Sequence, residues 1–131
     1  MLLPLGIGLV ASLAIIVALR LAGMDRDRAT APILLVSIAV FYPVFASENG
    51  STSDVLVHLA IAGCFVVLAV LGYSRASWIV GIALIVHGVF DVLIVTTRFD
   101  VAPDFWAPFC LAVDVVLGGW LLFDRRGTRT A

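Results

Sequence analysis

The sequence predicts an all-α protein, a five-helix transmembrane bundle in a single multi-pass domain covering residues 1–131, with the N-terminus outside and the C-terminus cytoplasmic. Three observations lead there. The chain is 63% hydrophobic, against about 45–50% in soluble domains, and its mean hydropathy is +1.17. Five apolar runs of near-spanning length follow one another, at 2–21, 31–46, 55–73, 78–97 and 105–123. Arginines gather on one side of the predicted bundle.

The first run, 2–21, lacks the basic start of a signal peptide; Arg20 lies at its far end, so a retained helix is expected. The second run is short for a span of about 20 residues. Pro32 suits its first turn and Pro43 sits near its end. The connector MDRDRAT precedes it, with Thr30 as a candidate N-cap. SENGSTSD leads into the third run, SRAS into the fourth with Ser77 as cap, and RFDVAPD into the fifth with Asp104 as cap. Backbone exposed to lipid must satisfy its own hydrogen bonds, which selects helices at this spacing.

Five spans place Arg20, Arg26, Arg28, Arg75, Arg125, Arg126 and Arg129 on one side and Arg98 alone on the other. Seven against one orients the arginine side to the cytoplasm. The 47–54 and 98–104 loops then face outward. Trp78 and Trp120 fall near the inner interface and Trp106 near the outer one, as in an aromatic belt. The bacterial cytoplasmic membrane is the expected location. A net charge of −1 offers no footprint for nucleic acid. Cys64 and Cys110 lie in apolar runs without metal-ligand spacing and read as two buried free thiols.

His87 and Asp91 stand in the fourth run, four residues apart and so on one helix face. Asp54 and His58 repeat the spacing in the third run, Cys110 and Asp114 in the fifth. At 1.5 Å per residue, His58, Asp91, Asp114 and His87 lie roughly 5, 9, 13 and 15 Å from the predicted outer ends. Tyr42 and Glu48 come from the outer end of the second run. A charge at the bilayer centre costs about 2.5–3.5 kcal/mol on insertion scales, so these groups are expected to converge in a polar pocket open to the outer face. The inner half shows nothing comparable. His87, Asp91 and Asp114 are the candidate catalytic residues, and Tyr42, Glu48, His58, Trp106 and Cys110 the candidate substrate-binding residues. His58, His87, Asp91 and Asp114 are also the candidate metal ligands. Simpler readings stand beside these: Asp54 as a cap, Glu48 as a solvated acid, His58 and Tyr42 as interfacial anchors, Cys110 as packing, and His87–Asp91 as a structural pair. Gly81 and Gly88 lie seven apart on one face, and Gly118 and Gly119 interrupt the fifth run, which favours close helix packing or a homodimer.

The run HGVFD, with His87, Gly88 and Asp91, and the later WAPFCLAVD, with Trp106, Pro108, Cys110 and Asp114, resemble a family of small bacterial integral-membrane proteins classed as a domain of unknown function. The likeness spans about 85–123. IVTTRF stands where that pattern has a second histidine-rich stretch, a departure that weighs against a multi-histidine metal site. The resemblance implies a shared site and names no activity.

The function these residues suggest is an integral-membrane enzyme performing acid–base isomerisation, cyclisation or hydrolysis on a lipophilic small molecule. The alternatives are a metal-binding membrane protein, a small transporter or an accessory subunit. No organic cofactor is expected, and a metal ion is the inorganic alternative. Membrane lipid and the lipophilic substrate are the expected partners.

Overall fold

The computed structural model describes residues 1–124; Arg125, Arg126 and Arg129 of the orienting set lie outside the described residues. The described chain is all-helical, as expected: α1 (Leu2–Ala22), α2 (Thr30–Ala39), α3 (Phe41–Asn49), α4 (Thr52–Ser74), α5 (Trp78–Ile94) and α6 (Trp106–Phe123), with a short 3₁₀ turn at Met24–Arg26. α2 and α3 continue one another, so six helices make five rods. Four rods are long and apolar enough to cross a membrane: Leu2–Ala22, Thr30–Asn49, Thr52–Ser74 and Trp106–Phe123. α5, at 17 residues, meets only the lower end of the spanning range of about 17–25.

Local chemistry sets the ends. Gly23, at φ 71°, closes α1 in the left-handed conformation and donates its N–H to Arg20 O at 3.2 Å. The break at Val40 lies three residues before Pro43, whose missing N–H cannot bond the carbonyl one turn back. The rod nonetheless runs from Thr30 to Asn49, longer than the 31–46 expected. A capping box opens α4: Asp54 N–H donates to Ser51 Oγ at 3.3 Å, and Ser51 N–H donates to Asp54 Oδ2 at 2.7 Å.

Of three expected caps, one holds its position and none makes a side-chain cap bond. Thr30 lies inside α2 and its hydroxyl donates to Met24 O at 2.8 Å. Ser77 occupies the N-cap position of α5 without a side-chain bond. Asp104 is not the N-cap of α6; that position is Phe105, and the Pro103 carbonyl accepts the Trp106 N–H. The fourth run also stops at Ile94, not at residue 97, because Thr96 and Thr97 turn their hydroxyls back onto Leu93 O and Ile94 O.

α5 packs most extensively on α6, and α6 on α1 along its other side; α4 packs on α2, α3 and α5. Glycines set the α5–α6 approach. A Cβ on Gly81 would lie 3.0 Å from Gly118 O, and one on Gly118 would lie 2.6 Å from Gly81 O. Gly8 plays the same part for α1, since its Cβ would meet Phe109 O. Small residues at such crossings are the signature of helices that associate without a hydrophobic driving force. The core joins Leu35, Phe65, Leu84, Val113 and Leu117. Outward faces carry exposed Ile7, Val10, Leu13, Val17, Val67, Val70, Val89 and Leu93, far more apolar surface than a soluble monomer presents.

Candidate functional site

His87 and Asp91 stand one turn apart on α5, and Asp114 faces them from α6. Gly88 permits the approach: a Cβ there would sit 3.0 Å from Asp114 Cβ and 3.4 Å from Leu111 Cα. His87 Nδ1 and Asp114 Oδ2 are hydrogen-bonded at 2.9 Å, the imidazole N–H donating to the carboxyl oxygen. Asp91 Oδ2 lies 3.6 Å from the same Nδ1, too far for a hydrogen bond. One donor atom from each residue lies within 4.8 Å of the other two.

The trio is sealed. Asp91 and Asp114 are 0% exposed and His87 1%, so the expected opening to the outer face is not present in this structure. Burial of this kind obliges polar atoms to pair, and here several do not. Both Asp91 oxygens, Asp114 Oδ1, the Tyr42 hydroxyl and His58 Nδ1 are buried without a hydrogen-bond partner. The Tyr42 hydroxyl and the Cys110 thiol are within electrostatic reach of Asp91, yet neither Asp91 oxygen completes a bond of normal geometry.

The other candidates divide. Tyr42, from α3, and Cys110, from α6, are buried beside Asp91. His58 is buried behind Tyr42, its ring stacked on the phenol at 5.2 Å, and its Nε2–H donates to Phe99 O at 2.8 Å. That bond ties α4 to the loop following α5 and makes His58 a core residue, not an interfacial one. Asp54 belongs to the α4 capping box and not to a ligand set with His58. Trp106 lies apart, packed against Phe41, Phe45 and Phe109 at 4.8, 4.9 and 5.7 Å. Glu48 is exposed at the end of α3 and is not among the clustered ligand atoms. Cys64 is exposed, contrary to the expectation of two buried thiols, whereas Cys110 is buried.

Phe65 and Phe90 complete the surroundings. Phe65 stands edge-on to His87 at 4.8 Å, and Phe90 contacts both Tyr42 at 5.6 Å and His87 at 6.0 Å. Sequence reasoning passed over both, because a phenylalanine in an apolar run carries no mark of which neighbour it will meet. The arginine-rich end also holds more than expected. A cavity of about 520 Å³ there is lined by Arg26, Arg28 and Arg75 against Asp25, Asp27 and Asp124. Beside it Arg20 pairs with Asp124 at 2.9 Å, and Asp124 also accepts the Trp120 indole N–H at 2.9 Å.

Chemically, the trio provides an imidazole and two carboxyl groups in contact, buried beside aromatic side chains, with oxygen atoms available to a proton or a cation. Comparison with protein-family models, curated proteins and solved structures finds no match to this chain.

Proposed function

We propose that the chain is a multi-pass protein of a bacterial cytoplasmic membrane, oriented with its N-terminus outside, that performs acid–base chemistry on a lipophilic small molecule at His87, Asp91 and Asp114. One observation carries the reading: a His87–Asp114 hydrogen bond of 2.9 Å beside a second carboxyl group, Asp91, which has no hydrogen-bond partner. Most buried polar groups held for structure are satisfied. Asp91 is buried and unsatisfied, the condition of a group kept for something that binds or reacts.

The division of labour follows from the contacts. Asp114 orients His87 through the 2.9 Å bond, and Asp91 stands 3.6 Å from the same Nδ1 without a hydrogen bond to it. An isomerisation then needs one group to give a proton to the substrate and the other to take one from an adjacent carbon, with the proton inventory restored at the end of the cycle. The aromatic walls, Phe65, Phe90 and Tyr42, suit an apolar reactant. The helices must part for it to enter, because the trio is closed.

The test compares lipid extracts, by mass spectrometry, from membranes carrying the wild-type protein, Asp91→Asn or Asp114→Leu. The expected result is a lipophilic compound consumed or formed only with the wild type, while both variants insert normally. Identical extracts, with no small molecule co-purifying with the wild type, would sink the proposal.

A further inference from the structure

The acid–base reading leaves the polar balance of the trio unexplained. Three carboxylate oxygens, Asp91 Oδ1, Asp91 Oδ2 and Asp114 Oδ1, are buried without a partner. Among the described residues no arginine pairs with either carboxylate; the ion pairs are Arg20–Asp124 and the two contacts of His87 itself. With both carboxyl groups ionised beside a neutral imidazole, the trio would carry a charge of −2, which a medium of low dielectric penalises severely unless a cation is bound.

We infer that His87, Asp91 and Asp114 bind one divalent transition-metal ion, of the manganese, iron or zinc class. The inference takes the trio to be the functional centre and adds a cofactor to it. Charge selects the valence, since a dication brings two carboxylates and an imidazole to neutrality. Donor type selects the class. One imidazole with two carboxylates suits manganese, iron or zinc, whereas calcium takes six to eight oxygens and magnesium keeps much of its water.

Geometry is close to what such an ion needs. Donors on one ion with bonds of about 2.1 Å lie about 4.2 Å apart when opposite and about 3.0–3.4 Å apart when adjacent. The trio spans 4.8 Å, so closure asks for movements of about 0.6–1.8 Å, which side-chain torsions supply. The ligands come from rigid helices: His87 and Asp91 from successive turns of α5, and Asp114 from α6 held close by Gly88. The Tyr42 hydroxyl and the Cys110 thiol, both beside Asp91, are placed to hydrogen-bond a ligating carboxylate, the usual arrangement around a metal.

The experiment measures metal content and requires no substrate. The full chain, purified in detergent, is stripped with chelator, then offered manganese(II), iron(II) under argon or zinc(II), and its bound metal is counted by mass spectrometry. One ion per chain is expected for at least one of the three, with a rise in melting temperature that follows occupancy. Asp91→Asn and Asp114→Asn should weaken binding at least about tenfold, and Glu48→Gln should retain a full ion. Should either Asn variant fail to fold, the titration of the stripped wild type still decides. A wild type that neither retains nor regains metal, and whose melting temperature ignores all three, overturns the site. A metal-free protein that still alters its lipid extract leaves metal-free acid–base chemistry standing. A metal-loaded protein with unchanged extracts keeps the site and removes the enzymatic reading.

Discussion

Gly118 and Gly119 are neighbours on α6, and the structure assigns them opposite responses to the same substitution. A Cβ at Gly118 would lie 2.6 Å from Gly81 O and 2.8 Å from Ile85 Cγ1, whereas a Cβ at Gly119 meets nothing within 4 Å. Ordinary contact begins near 3.4 Å, so Gly118→Ala requires α6 to retreat from α5 by 3.4 − 2.6 = 0.8 Å at that turn. Overpacking of this kind costs about 1–3 kcal/mol. Both substitutions gain the same helix propensity, about 1 kcal/mol over glycine. The difference between the two variants therefore isolates the clash, and Gly118→Ala should be the less stable by about 1–3 kcal/mol. Asp114 lies one turn from Gly118. A retreat carried undiminished to that turn would stretch its bond to His87 from 2.9 Å to 3.7 Å, beyond hydrogen-bonding range. Thermal unfolding of the two variants in one detergent is the assay, with metal occupancy as a second readout. Equal melting temperatures and equal occupancy would show that α5 and α6 do not cross at Gly81 and Gly118 as described.

Three further outcomes follow from named contacts. Tyr42→Phe removes a buried hydroxyl that has no partner, and in the metal-stripped protein it should leave the melting temperature unchanged or raised; a loss equivalent to about 1 kcal/mol would mean the hydroxyl is engaged. In detergent, a small maleimide should modify Cys64, which is exposed, and spare Cys110, which is buried; equal modification of both would contradict the packing of α6 on α5. In a cysteine-less background, Asn49→Cys in intact cells should react with an impermeant thiol reagent, as the orientation with the arginine-rich end inside requires. Protection of that cysteine, with labelling only after lysis, would reverse the topology.

The rods were legible because length and apolarity alone define them in a chain of this composition. Their rotation was not. A helix that meets lipid on one face and protein on the other is apolar all round, so periodicity does not say which side turns inward. Only residues that lipid will not accept, or that another backbone needs, break the symmetry. His87, Asp91 and Asp114 do so by the cost of exposing them, which is why their convergence could be anticipated from the sequence and is found in the structure. Gly81 and Gly88 do so by their size, and both lie against α6. Phe65, Phe90 and Cys64 carry neither mark, and their orientation came only with the structure.

The same asymmetry explains why the predicted outward opening became a closed centre. Depth along a helix can be counted from the sequence, but access depends on what lies across the mouth. Beside Asp91, Tyr42 is stacked on His58, which is bonded to Phe99 O in the loop after α5. His58, a candidate ligand by sequence, instead joins α4 to that loop, and its Nδ1 is buried without a hydrogen-bond partner. An entry route between α4 and that loop would break the 2.8 Å bond. The loop at 95–104 also packs on the bundle through half-buried Phe99, Asp100, Val101 and Ala102, so opening there would have to release that packing as well as the His58 bond.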